Sequence, residues 1–95
     1  MYTSPRYATR GVTTTVPLML QIILWDLIDS MEVAEKDYLQ VFRLTTDGTT
    51  QHITHSQEQP EYSKEYLFPS EAPITAKIFV IDDETHTTML LAEEY

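Results

Sequence analysis

The sequence predicts an α+β domain in two layers, with one amphipathic helix packed on an antiparallel meander sheet of four to five strands, and residues 1–95 forming a single unit. Three observations predict it. Leu20, Ile23, Leu24, Leu27, Ile28 and Met31 recur at helical offsets. The residues before Asp47-Gly48 alternate with a period of two, and from there onward prolines and acidic clusters punctuate short β-branched or aromatic runs.

Taken in order, the threonine-rich segment from Tyr2 to Val16 predicts a short strand at Thr9 to Thr13, on β-branched character. Pro17 suits a first helical turn, where its missing N–H is not needed, and opens the helix that ends after Met31. Beyond Val33 the alternation of Tyr38, Gln40, Phe42 and Leu44 predicts a strand into the Asp47-Gly48 turn. Thr49 to Gln57, with Ile53 between polar neighbours, is expected to return as the second arm of a hairpin. A third strand runs from Tyr62 to Phe68 between Pro60 and Pro69, and a second hairpin joins Ile74–Ile81 to Thr85–Ala92 through Asp82-Asp83-Glu84.

Composition closes several function classes. With 42% hydrophobic and 22% charged residues the chain is neither disordered nor fibrous. It has no cysteine, which excludes disulfides, thiolate metal cages and cysteine nucleophiles. Val16 to Ile28 is the longest apolar run, broken by Gln21 and Asp26 and too short for a bilayer span; Met1 to Gly11 lacks the apolar core of a secretory signal. A cytoplasmic protein without a membrane role is expected. Fifteen acidic residues against six basic ones give a net charge of −9, which repels phosphate backbones and disfavours direct nucleic-acid binding.

Several separated blocks carry a likeness: Tyr7-Ala8-Thr9-Arg10-Gly11, Pro17 to Trp25, Tyr38-Leu39-Gln40-Val41-Phe42, Ile81-Asp82-Asp83, and Met89 to Tyr95. Together they resemble a domain-of-unknown-function family of small cytosolic proteins from Gram-positive cocci and their relatives. The resemblance implies an intact single-domain protein of a Gram-positive cytoplasm or mobile element, with no established activity and no functional residues to carry over.

Chemistry-bearing patterns are few. Ile78 to Glu84 looks like a strand delivering a magnesium-binding acid, yet no glycine-rich phosphate loop accompanies it, since the only glycines are Gly11 and Gly48. Asp82, Asp83, Glu84 and His86 could hold a hard cation, although the run lacks the alternating ligand spacing of a calcium loop, and a solvated hairpin turn is the commoner origin of such a triplet. His52 and His55 point to opposite faces of one strand, and all three histidines read as polar strand positions. The acid pairs Asp26/Asp29 and Glu93/Glu94 have no evident cleft to separate their pKa values. No catalytic residue and no cofactor is assigned.

The helix face opposite the core stripe should be polar, yet it carries Leu18, Ile22 and Trp25 before reaching Asp26 and Asp29. An apolar strip of this kind marks an interaction site when exposed, with tryptophan as the natural anchor. An N-terminal arm with Tyr2, Pro5 and Tyr7 folding over it would equally account for the strip. The expected function is a non-catalytic protein–protein interaction module acting on a protein partner or through self-association. The alternatives are a small metal-dependent hydrolase built on the acidic turn, and an acidic nucleic-acid mimic acting on a basic partner.

Overall fold

The threonine-rich start of the chain shows local chemistry overriding strand propensity. In the computed structural model, which describes residues 2–95, the strand expected at Thr9 to Thr13 is replaced by β1 (Arg6–Ala8) followed by α1 (Arg10–Thr15). Thr9 caps α1: its hydroxyl accepts the Val12 N–H at 3.3 Å and donates to Glu94 Oε1 at 2.6 Å. Inside the helix the Thr13 and Thr14 hydroxyls donate back to the Arg10 carbonyl, so β-branched residues are accommodated in a helix. Gly11 permits the close approach of Glu94, because a Cβ at that position would lie 2.6 Å from its carboxylate.

Pro17 precedes α2 (Leu18–Asp29), as its position predicts. Leu20, Leu24 and Ile28 are buried, Met31 just beyond the helix is buried too, and Ile23 and Leu27 flank the stripe as half-buried neighbours. The amphipathic period therefore identifies the helix and its inner face correctly.

The sheet departs from the expected plain meander. It has six strands in the order β1-β6-β5-β2-β3-β4: β2 (Leu39–Asp47), β3 (Thr50–Gln57), β4 (Tyr62–Pro69), β5 (Ala76–Asp82) and β6 (Thr87–Leu91) join β1. It is mixed, because β1 runs parallel to β6 while every other pair is antiparallel. After β4 the chain crosses back to set β5 against the far side of β2, so β4 is left as an edge. Both hairpins have the expected ends, with Gly48 at φ +65° in the β2–β3 turn, a conformation glycine adopts without strain.

Both helices lie on one side of the sheet, in two layers. On that side Phe42 and Leu44 of β2, Ile53 of β3, Ile78 and Val80 of β5, and Met89 and Leu91 of β6 meet Leu20, Leu24 and Ile28 in one cluster. Four buried polar residues of β2 and β3 share the inner face: Gln40 with Gln51, His55 and Gln57. Their satisfaction is nearly complete, as burial requires. Gln57 accepts from the Asp37 N–H and from Gln40 Nε2, and donates to the carbonyls of Glu35 and Pro60. Gln40 Oε1 accepts from His55 Nε2 at 2.7 Å. Gln51 exchanges hydrogen bonds with both backbone groups of Ile74.

His55 is a strand position, as expected of all three histidines, but one whose side chain is enclosed in the core. It is fully buried, stacked on Phe42 at 4.3 Å between ring centroids and edge-on to Tyr62. Because Gln40 Nε2 is committed to Gln57 and to the Asp37 carbonyl, its oxygen faces His55 and fixes the Nε2–H tautomer, leaving Nδ1 without a partner. Burial pushes the imidazole pKa down to about 4.

Two predictions follow from this inner face. Gln57→Leu removes the side-chain partner of the Asp37 N–H, of the Glu35 and Pro60 carbonyls and of one Gln40 amide hydrogen, and should cost about 1–3 kcal/mol in urea unfolding; a loss under about 0.5 kcal/mol would show that water replaces the amide. His55 binds a proton more weakly folded than unfolded, so its contribution is complete above the unfolded pKa and is lost as pH falls toward 4. Unfolding free energy should drop by on the order of 2 kcal/mol between pH 7 and pH 5, and His55→Leu should flatten that slope.

Candidate interaction surface

The outward side of α2 bears three apolar side chains in its first two turns: Leu18 is 70% exposed, Met19 68% and Ile22 51%. They lie within one arc of the helix, since Ile22 is four residues after Leu18 and three after Met19 and so neighbours both. Beside them an apolar cleft of about 110 Å³ opens between Met19, Leu20, Ile23, Phe68 and Ala72. The strip therefore continues from the helix onto the margin of the sheet at β4.

Trp25 stands differently from Leu18 and Ile22. It is half-buried against the core cluster, and the Arg6 guanidinium lies 4.8 Å from its ring centroid. Arg6 comes from the inner side of β1 and is held there by Asp29, to which both of its terminal nitrogens donate, and by the Tyr2 carbonyl. The N-terminal arm thus covers the tryptophan end of the strip and leaves the Leu18 end open. The arm works through Arg6; Tyr2 is instead buried elsewhere, donating its N–H to Asp82 and its hydroxyl to the Asp37 carbonyl.

Met19 belongs to the exposed patch and lies outside the row of Leu18, Ile22 and Trp25 that the helical spacing singles out. The signal was present: Met19 precedes Ile22 by three residues and lies outside the buried stripe.

The acidic turn has a different character from a ligand cage. Asp82 is buried and accepts from the backbone N–H groups of Tyr2 and Glu84. Asp83 Oδ1 accepts from the His86 N–H, the Thr85 N–H and the Thr85 hydroxyl, while Oδ2 lies 3.2 Å from His86 Nε2. The His86 N–H first, and the Thr85 hydroxyl next, hold the Asp83 carboxyl below its ordinary range. Glu84 sits at φ +78°, in the left-handed region that shapes the turn. Among the described residues no three metal-ligating side chains converge, here or elsewhere. The turn is a hydrogen-bonded hairpin connection.

Arg6→Ala removes the cation from the Trp25 face and one partner of an exposed ion pair. Acrylamide quenching of the single tryptophan should rise, with a stability loss of about 1 kcal/mol. Unchanged quenching would mean that the core, not Arg6, shields the ring.

The comparisons with known proteins agree with this fold. A crystal structure described as the protein of unknown function from Enterococcus faecalis is similar, with 28% sequence identity and a TM-score of 0.78, covering 97% of this chain and 91% of that one. No curated protein matches the chain. Among the described residues no helix is long and apolar enough to cross a membrane. The model of a family described as Staphylococcal protein of unknown function, DUF960, matches residues 5–94, and the chain belongs to that family.

Proposed function

We propose that the protein is a non-catalytic interaction module and that it presents the open end of α2, Leu18 with Met19 and Ile22, to an apolar surface of a partner protein. The observation that carries this reading is the exposure of three large apolar side chains on one helix face beside an apolar cleft. Small domains commit most of their apolar surface to their core, and burying each such side chain is worth about 1.5–3 kcal/mol. A partner that covers the patch gains that energy without disturbing the core, because Leu20, Leu24 and Ile28 face the other way.

Trp25 is an unsuitable position to test this, since it packs on the core as well as on Arg6. Leu18→Glu/Ile22→Glu is the better variant, because both positions are open to solvent. It should melt as the wild type does. In a pull-down from lysate of the source organism, one stoichiometric protein should be retained by the wild type and lost by the double variant. Identical retention by both proteins, or retention of nothing by either, would remove the helix patch from the function.

A further inference from the structure

The sheet has helices on one side only, and the other side is open. Of the exposed large apolar residues outside α2, Tyr7 and Leu67 point to this open side from β1 and β4. Tyr38 lines its central groove, and Tyr95 packs edge-on against Phe79 of β5. Cross-strand register sets Leu39 opposite Ile81, and Val41 opposite Phe79, in the middle of this face. Half-buried by one another, these four side chains form a shallow apolar centre.

Two residues farther along the same strands, Arg43 lies directly opposite Lys77. Like charges in that position destabilise an antiparallel pair. The chain has only six basic residues among fifteen acidic ones, and neither Arg43 nor Lys77 forms an ion pair among the described residues. The acid in their row, Glu65, stands across Thr54 two strands away, about 10 Å from Arg43. At the other end of the groove, past Val41 and Leu39, the lining residues are Asp37 and Glu58. The groove, about 290 Å³ in volume, is therefore cationic at one end, apolar in the middle and acidic at the other.

That order makes the face complementary to itself. A two-fold axis lying between two such faces and perpendicular to the strands reverses one groove over the other. Arg43 then meets the acidic end of the second copy, and the two apolar centres meet across the axis. Isologous contacts require this reciprocity. Six strands about 4.8 Å apart and roughly seven residues long present a face of roughly 550 Å², just under the roughly 600 Å² that each partner contributes at the small end of stable interfaces. Open sheet faces also pack on one another readily, at about 10 Å.

We propose that two copies of this chain dock back to back through the open sheet face, with Arg43 and Lys77 of each copy set against the acidic groove end of the other. The dimer has four layers, helix, sheet, sheet and helix. Both α2 patches remain on the outside, so the proposal stands independently of the helix-patch function and leaves that surface doubly available.

Sedimentation equilibrium of the full chain, from micromolar to submillimolar protein at low salt, tests it with two charge variants. Wild type should show twice the monomer mass. Arg43→Glu/Lys77→Glu makes the groove wholly acidic, and Asp37→Asn/Glu58→Lys makes it wholly basic; each alone should be monomeric, and an equimolar mixture should regain the dimer mass. Asn keeps the acceptor for the Gln59 N–H that Asp37 now binds. Single Lys77→Glu guards against a folding artefact: it turns a like-charge pair into an opposite one and should raise the melting temperature of the monomer by a few degrees. A monomeric wild type, charge variants that dimerise as wild type does, or loss of the dimer on Leu18→Glu/Ile22→Glu instead would each overturn the proposal.

Discussion

The amide side chains on the inner face of β3 fasten the parts of the chain that the sheet ladder cannot reach. Gln57 binds backbone groups of Glu35, Asp37 and Pro60, which belong to two different connections, and Gln51 binds both backbone groups of Ile74 in a third. A connection that closes the end of a core has peptide groups with no strand partner, and leaving them dry costs about 1–3 kcal/mol each. A glutamine carries one donor group and one acceptor on a short arm, so it can complete those groups from the neighbouring strand. His55 and Gln40 complete the same network between Phe42 and Gln57.

This fastening has a topological consequence. The chain leaving β4 is drawn back across the end of β3 by the Gln51–Ile74 pair, which delivers β5 to the free side of β2. The strand with the most β-branched sequence, Ile78-Phe79-Val80-Ile81, thus lies inside the sheet, between β2 and β6. The short β1 and the polar-faced β4 become the edges, where charged residues such as Lys64 and Glu65 discourage further pairing.

With all helices on one side, the domain is left with two apolar regions that its own core does not use. One is the start of α2; the other is the open face of the sheet. The N-terminal arm shields only the Trp25 end of the first, through a guanidinium anchored by Asp29. A fold this small has no third layer with which to cover either. Both regions are therefore exposed apolar surface, on opposite sides of one molecule.

The sequence by itself determined the α+β class, the span and inner face of α2, the hairpins around Gly48 and the acidic turn, and Leu18 and Ile22 as outward apolar residues. These follow from periodicity and turn chemistry, which act between residues a few positions apart. Tertiary structure decided the rest. The three-residue β1 is a strand only because β6 offers it a parallel partner, and Thr9 begins a helix rather than continuing a strand because Glu94, at the other end of the chain, completes its cap. The burial of Gln40, Gln51, His55 and Gln57 has no local signal, since burial of an amide or imidazole depends on partners remote in sequence. The facing of Arg43 and Lys77, and the open groove beside them, exist only once β5 has been placed against β2, a choice made by long-range packing and by hydrogen bonds that no local pattern encodes.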